Sequence, residues 1–269
     1  MDNNKQLKIT IITLFPSMIK GFLTESIVGK AVKKGMVELE IINLRDFAKD
    51  NYGSVDDRPY GGGAGMVLRV DVLYECLKSV LGEAMTTRNS KFQVPNSNED
   101  VSPARTIRNN SGVRIILTSA KGNTYSQAKA EKYASKYNHL VIIAGHYEGV
   151  DERILQFVDD EISIGQYVLT GGELPAAIIA DSIIRLIPGV LKKDSATQEE
   201  SWSAYNVAEI HKATGSGEVA GKKGKVRLRE YPHYTRPEEF MGMKVPEVLM
   251  SGDHQKIRTW RLQQALAKS

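Results

Sequence analysis

SIGQYVLTGGELPAAIIA, residues 163–180, is the stretch that decides the fold. An apolar segment breaks at adjacent glycines and a Glu-Leu-Pro, then resumes at once as a very apolar helix. A turn needs at most one glycine, so Gly171 followed by Gly172 implies that something besides the chain lies close to this backbone. Further out, residues 8–14 are β-branched and apolar, residues 18–33 have helical spacing, and Val37–Asn43 alternates as a strand, which makes a strand-helix-strand opening. Residues 71–80 read as a helix, 113–117 as a short apolar strand, 126–136 as a polar-faced helix and His139–Ala144 (HLVIIA) as a buried strand. This alternation predicts an α/β fold with a mainly parallel sheet and helices on both faces. Ligands in such sheets bind in loops leaving the carboxyl ends of the strands, and the informative loops of this chain lie there.

A chain of 269 residues, 41% of them hydrophobic, can bury the core of one large domain or two modest ones. The opening residues hold only a short apolar run, and the apolar stretch 176–191 is interrupted by Asp181 and Arg185, so neither a secretory signal nor a membrane span is expected. One cysteine, Cys76, excludes an intramolecular disulfide. A cytoplasmic protein with no membrane partner is the expectation. The balance of 36 Lys and Arg against 32 Asp and Glu gives a net charge of +4, which is compatible with a nucleic-acid partner without establishing one.

Two segments depart from the α/β pattern. Residues 82–112 are rich in Asn, Ser and Thr and read as a mobile surface loop. Residues 206–229 carry GSGEVAGKKGKVRLR and read as an interdomain linker. The expected organisation is therefore a domain over residues 1–200, a flexible basic linker over 201–229 and a small helical domain over 230–269. The last helix should span about 252–267, with Ser251 as N-cap and Lys256, Arg258, Arg261 and Lys268 supplying positive charge.

Four stretches could carry chemistry. DDRPYGGGAGM (56–66) has glycines at 61, 62, 63 and 65; it fits a flexible turn capped by acids, or a loop whose N–H groups a flat ligand or phosphate can approach. It has no Gly-Lys-Ser/Thr, so it is no P-loop. In AGHYEGVDER (144–153), Asp151 and Glu152 suit the start of a short helix and Arg153 a local pair, whereas Glu148, set with Tyr147 between two glycines at a strand end, has no such structural explanation. Asp181 and Arg185, four apart on the apolar helix, fit a buried ion pair, or an arginine pointing into a site to steady an anionic group. Finally GKKGKVRLR (221–229) places five cations in nine residues just before YPHYTRP (231–237), and basic groups beside aromatics are what single-stranded RNA binding uses. The five histidines show no ligand spacing, and no structural metal is indicated.

Read in order, DDRPYGGGAGM, TSAKG, AGHYEGVDER, SIGQYVLTGGELPA, RLIPGVL, YPHYTRP and VPEVLMSGDHQKIRTWRLQQAL resemble the bacterial tRNA (guanine-N1)-methyltransferase family of TrmD type, in the SPOUT superfamily. The resemblance implies a sheet with a deep trefoil knot, an exception to the rule of unknotted chains, whose loops hold S-adenosylmethionine in a bent shape. It assigns cofactor contacts to Ser119, Gly122, Gly145, Tyr147, Ser163, Ile164, Gly165, Tyr167, Val168, Leu169, Gly171, Gly172 and Pro175. The implied reaction moves a methyl group to N1 of the guanine at tRNA position 37, beside the anticodon. That nitrogen carries a proton and is a poor nucleophile, so a base and a cation are needed. The resemblance places Glu200 at the base, Arg185 at the active-site arginine and Glu148 at a carboxylate seating the guanine, with Gly61, Gly62, Gly63, Ser201, Glu230, His233, Tyr234 and Arg236 binding substrate. It further implies a homodimer with the active site at the subunit interface, binding the tRNA anticodon loop. Magnesium is implied by the resemblance alone. The chain departs from the family pattern with Glu200 and Glu230 in place of Asp, His146 where Arg is frequent, Ala120-Lys121 where Pro-Gln is common, and a longer linker.

Overall fold

The computed structural model describes residues 6–82, 85, 112–192, 197, 199–215 and 224–269. The expectation of a mobile loop over 82–112 falls largely on residues 83–84 and 86–111, and part of the linker on 216–223; these lie outside the described residues. Contacts divide the chain into two compact units, Met1–Leu191 and Lys192–Ser269.

The first unit is built on β1 (Leu7–Thr13), β2 (Val37–Asn43), β5 (Val113–Thr124), β6 (His139–Ala144) and β7 (Asp160–Ser163), with the short antiparallel pair β3 (Asp56–Asp57) and β4 (Val67–Leu68) outside the main sheet. The five strands are all parallel, in the order β2-β1-β6-β5-β7. Helices α1 (Pro16–Thr24), α2 (Ser26–Lys33), α4 (Gln127–Lys136) and α5 (Glu173–Ile184) cover one face, and α3 (Val70–Leu81) the other. Side-chain alternation explains the two cores. Ile9 and Ile11 of β1 pack with Leu23, Tyr133, Ile179 and Ile183, whereas Ile12 faces Leu73, Cys76 and Leu77. Each fully buried Leu or Ile contributes about 1.5–3 kcal/mol by leaving water, so a sheet covered on both faces supplies most of the stability. At the sheet edge Arg114 Nε meets Asp160 Oδ2 at 2.6 Å and Tyr133 Oη donates to the same oxygen at 2.7 Å, which pins β5 and α4 to β7.

Two boundaries differ from the sequence expectation. Residues 18–33 form two helices, because Glu25 is extended and Ser26 takes φ +54°. Thr24 Oγ1 bonds back to the Lys20 carbonyl at 2.8 Å, and Gly29 leaves no room for a Cβ against the Thr24 carbonyl. The strand expected over 113–117 runs on to Thr124, since Asn123 and Thr124 pair with Ile162 and Ser163 after a register shift. That pairing is long-range and leaves no mark on local periodicity.

The second unit contains β8 (Ser203–Asn206) antiparallel to β9 (Lys225–Leu228), the helices α6 (Val207–Thr214), α7 (Glu247–Met250) and α8 (His254–Ala267), and a small hairpin, β10 (Glu239–Phe240) with β11 (Met243–Lys244). Its core is Val207 and Ile210 of α6, Leu228 of β9 and Ala265 of α8. The described part of 201–229 is thus a strand, a helix and a strand folded onto the C-terminal helix, rather than a linker, and the unit begins at Lys192 rather than near 200. Val207, Ile210 and Leu228, with the partly buried Tyr205 and Val226, carry this packing, and the Gly- and Lys-rich composition around them hides it. The N-cap of α8 is Asp253, not Ser251: its Oδ1 accepts from the Gln255 and Lys256 amides, both at 3.1 Å, which also keeps its carboxyl below the ordinary value. Among the described residues no helix is long and apolar enough to cross a membrane.

Candidate active site

Three neighbouring strand ends meet around one buried hydroxyl. Thr118 of β5 has its Oγ1 3.2 Å from the Ile143 carbonyl and 3.3 Å from the Gly172 carbonyl, and accepts from the Gly145 amide at 3.2 Å. Gly172 donates to the Gly145 carbonyl at 2.6 Å, and His146 bridges Gly171 in antiparallel fashion. The chain leaving β7 therefore comes back beside the chain leaving β6. A Cβ on Gly172 would overlap Thr118 Oγ1 and lie 2.6 Å from the Gly145 nitrogen, and one on Gly145 would lie 2.8 Å from the Thr118 carbonyl. The paired glycines are first of all a close approach of backbones.

Beside this joint lies a cavity of about 350 Å³. Its wall includes Ser119, Gly145, Tyr147, Ser163, Ile164, Tyr167, Val168, Leu169, Gly171, Gly172 and Pro175. Two further residues assigned to the cofactor stand behind that wall. Gly122 presses on β7, where a Cβ would lie 2.5 Å from the Ile162 nitrogen, and Gly165 is covered by the Tyr167 ring. Ser163 shapes the turn, its Oγ donating to the Gly165 carbonyl at 2.7 Å.

Glu148 also faces the cavity and joins two of the sequence stretches. Its amide donates to the Met66 carbonyl at 3.1 Å, Leu68 donates to the Gly149 carbonyl at 3.0 Å, and a Cβ on Gly65 would lie 2.5 Å from Glu148 Cγ. The glycine-rich loop is thus docked along the HYEGV loop. Gly61, Gly62 and Gly63, with φ of +85°, +81° and +130°, stand exposed and outside the wall. Asp151 caps the 3-10 turn Glu152–Gln156 and pairs with Arg153 at 2.6 Å, as expected.

Arg185 is outside the wall as well. It caps the C-terminal end of α5, its amide bonded to the Asp181 carbonyl at 3.1 Å, and twelve helical residues separate it from Gly172. At 1.5 Å per residue the thirteen steps between them span about 20 Å along the axis.

Several groups at this site were given no role at it from the sequence. Glu173, fully buried, accepts from Thr13 Oγ1 at 3.0 Å and lies 3.4 Å from His146 Nδ1. The His146 ring in turn packs against Phe15 and Tyr147. Lys121 and Glu152, both in the wall, are joined at 2.8 Å, a hydrogen bond that raises the pKa of the ammonium. A carboxylate inside the apolar GGELPA run was the available signal for Glu173; nothing local distinguishes Lys121. Among the described residues, no group of three or more His, Cys, Asp and Glu side chains is placed to hold a metal ion.

In the second unit, Glu200 and Ser201 sit in a turn ahead of β8, tied to the YPHYTRP segment. Ser201 Oγ accepts from the Glu230 amide at 3.1 Å, Glu230 Oε1 lies 2.7 Å from His233 Nε2, and Tyr231 Oη donates to Glu199 at 3.2 Å. The Arg261 guanidinium stacks 4.7 Å over the Tyr231 ring and approaches Glu199 at 3.5 Å. Tyr234 packs against Trp260, and Arg236 is exposed. Five of the expected RNA-binding residues, Ser201, Glu230, His233, Tyr234 and Arg236, therefore belong to one unit.

A parallel α/β sheet with a small-molecule-sized cavity at the carboxyl ends of adjacent strands defines the class: a protein whose strand-end loops have room for a compact ligand. The chain belongs to the tRNA (guanine-1)-methyltransferase family TrmD, which it matches over residues 7–269. It is 41% identical over 263 residues to the tRNA (guanine-N(1)-)-methyltransferase of Endomicrobium trichonymphae, covering 98% of this chain and 96% of that one. The enzymes of the same name from Geobacillus kaustophilus and Bacillus subtilis are 43% and 40% identical over 264 residues, covering 98% of this chain and 88% and 89% of theirs.

Proposed function

We propose that this protein transfers the methyl group of S-adenosylmethionine to N1 of the guanine at position 37 of tRNA. Family membership supports the reaction class, and the observation that carries the cofactor is the glycine cradle. Gly145, Gly171 and Gly172, packed where no Cβ fits, bring backbone into the wall of a cavity whose size falls within the roughly 300–1,000 Å³ of small-molecule sites. Tyr167, Val168 and Leu169 give that cavity an apolar wall, backbone N–H and C=O groups add polarity, and Lys121, Glu148 and Glu152 bring charge to its rim. The bound cofactor supplies a sulfonium methyl, an electrophile that leaves a neutral thioether behind.

The chain's own residues do the rest. Glu200 takes the N1 proton as the methyl–nitrogen bond forms, Arg185 stabilises the charge that develops on the purine oxygen, and Glu148 seats the guanine. Within one chain Arg185 stands at the end of α5 remote from the cavity, so this reading has it act across a homodimer. Exposed apolar side chains support such an interface: Met18 and Phe22 on α1, Ile27 on α2, and Leu174 and Ile178 on α5, which packs against α1. A trefoil knot is part of the reading as well. Strand β7 lies beyond β5, yet the segment that follows it returns to bond with both Thr118 and Gly145. A cytoplasmic setting fits the tRNA substrate.

Incubation with labelled S-adenosylmethionine and paired transcripts carrying guanine or adenine at position 37 tests the reading. N1-methylguanine on the first transcript alone is the expected product. Label at another position, or none despite binding of both partners, overturns it. Glu200→Gln should lower the rate constant at least about a hundredfold with cofactor affinity unchanged, the scale of general-base catalysis.

A further inference from the structure

Trp202 lies two residues beyond Glu200 and takes φ +71°, the left-handed region, where a bulky side chain is a genuine outlier. The strained backbone is held from both sides. Its N–H donates to the Leu228 carbonyl at 2.7 Å, and its own carbonyl accepts from Arg227 Nη1 at 2.6 Å. The indole stays half exposed (50%), with the Arg229 guanidinium 5.7 Å from its ring centroid. Along and just past β9, Lys225, Arg227 and Arg229 alternate with Val226 and Leu228, so the cations share the strand face opposite the core.

Core packing does not require this arrangement, because the core of the unit is Val207, Ile210, Leu228 and Ala265. A flat apolar ring, held out by a strained turn and flanked by guanidinium and ammonium groups, fits a π-face partner that carries negative charge. We propose that Trp202 is a stacking platform for an unpaired nucleobase next to the methylated guanine, with Arg229 bracing the indole and Lys225 meeting the adjoining phosphate. The inference rests on the RNA substrate of the proposed function and assigns the base-stacking contact within it.

The chain has two tryptophans, so Trp260→Phe leaves Trp202 as the sole indole while keeping a ring beside Tyr234. Titrating a tRNA transcript into this full-length variant should quench the remaining fluorescence, since the base lies on the indole. Trp202→Ala should weaken transcript binding about tenfold or more, the scale of one base-aromatic stack, and Trp202→Phe should restore most of it. Binding of S-adenosylmethionine, followed by calorimetry, should not change in either. Trp202→Gly separates function from folding: it relieves the positive φ, so thermal stability should hold while RNA affinity falls. Transcript binding and methylation without quenching would overturn the platform and leave the methyltransferase reading intact. Quenching that grows with protein concentration in the absence of RNA would overturn it in favour of self-association. If the unsubstituted chain bound no transcript, both readings would fall.

Discussion

The amide of Gly172 donates to the carbonyl of Gly145 at 2.6 Å, so the loops after β7 and β6 meet backbone to backbone with the Thr118 hydroxyl beneath them. Gly172→Ala pushes a methyl into that joint. Overpacking of this kind costs about 1–3 kcal/mol, and here it also spreads the cavity wall. Calorimetric titration should show the affinity for S-adenosylmethionine falling at least about tenfold, equivalent to about 1.4 kcal/mol. Unchanged affinity would mean that the ligand does not lie against this backbone.

Glu148 sits over Gly65, and the two are coupled by sterics. Gly65→Ala places a methyl where the Glu148 side chain now lies, at a φ of +81° that alanine resists. If Glu148 seats the guanine as proposed, both Gly65→Ala, which displaces its side chain, and Glu148→Gln should lower kcat/KM for tRNA methylation by about ten- to a hundredfold. Steady-state assays at saturating S-adenosylmethionine should give similar losses for both; full activity in Gly65→Ala would break the link.

Cys76 is fully buried against α3's core neighbours, and burial, with smaller contributions from Asp46 and Glu40, pushes its thiol up to about 12. The thiolate is the reactive form. A thiol reagent at pH 8 should therefore leave the folded protein unlabelled and modify one thiol per chain once denaturant is added. Rapid labelling of the native protein would contradict the packing.

His139 opens β6, with its Nε2 3.0 Å from Thr10 Oγ1 and Lys8, Glu38 and Glu40 nearby. Burial first, and then the Lys8 ammonium, holds its pKa below the ordinary 6.5, against the pull of the two glutamates. Below that value the unfolded chain binds a proton that the folded chain resists, so this stabilisation is present above about pH 6.5 and declines as pH falls. Chemical denaturation at pH 7.5 and 5.5 should show a smaller stability loss for His139→Gln than for the unsubstituted protein. Equal losses would assign the pH response to other groups.

The sheet and the cavity were more legible than the chain's second unit. Val37–Asn43 and His139–Ala144 have the bounds the sequence predicts: the edge strand β2 alternates apolar with polar residues, and the central strand β6 writes its burial into consecutive apolar residues. Tyr167, Val168 and Leu169 were legible through the motif they share with Gly171 and Gly172. Lys121, Glu152 and the Thr13–Glu173–His146 chain were not, since their partners are fixed by pairings far apart in sequence. The β8–α6–β9 segment was missed for a related reason: Tyr205, Val207, Ile210, Val226 and Leu228 are split by the glycines and lysines between them, and they pack together with Ala265 of α8.

The position of β6 constrains how the molecule can be made. It lies between β1 and β5, both earlier in the sequence. On a ribosome, where chains emerge from the amino end, those two strands cannot close against each other without excluding the third. A slot must stay open until residue 144 has been synthesised. The first hundred or so residues then wait with exposed strand edges, a liability that proteins ordinarily cover. Nascent chains halted before β6 should accordingly be the ones that chaperones hold and proteases cut.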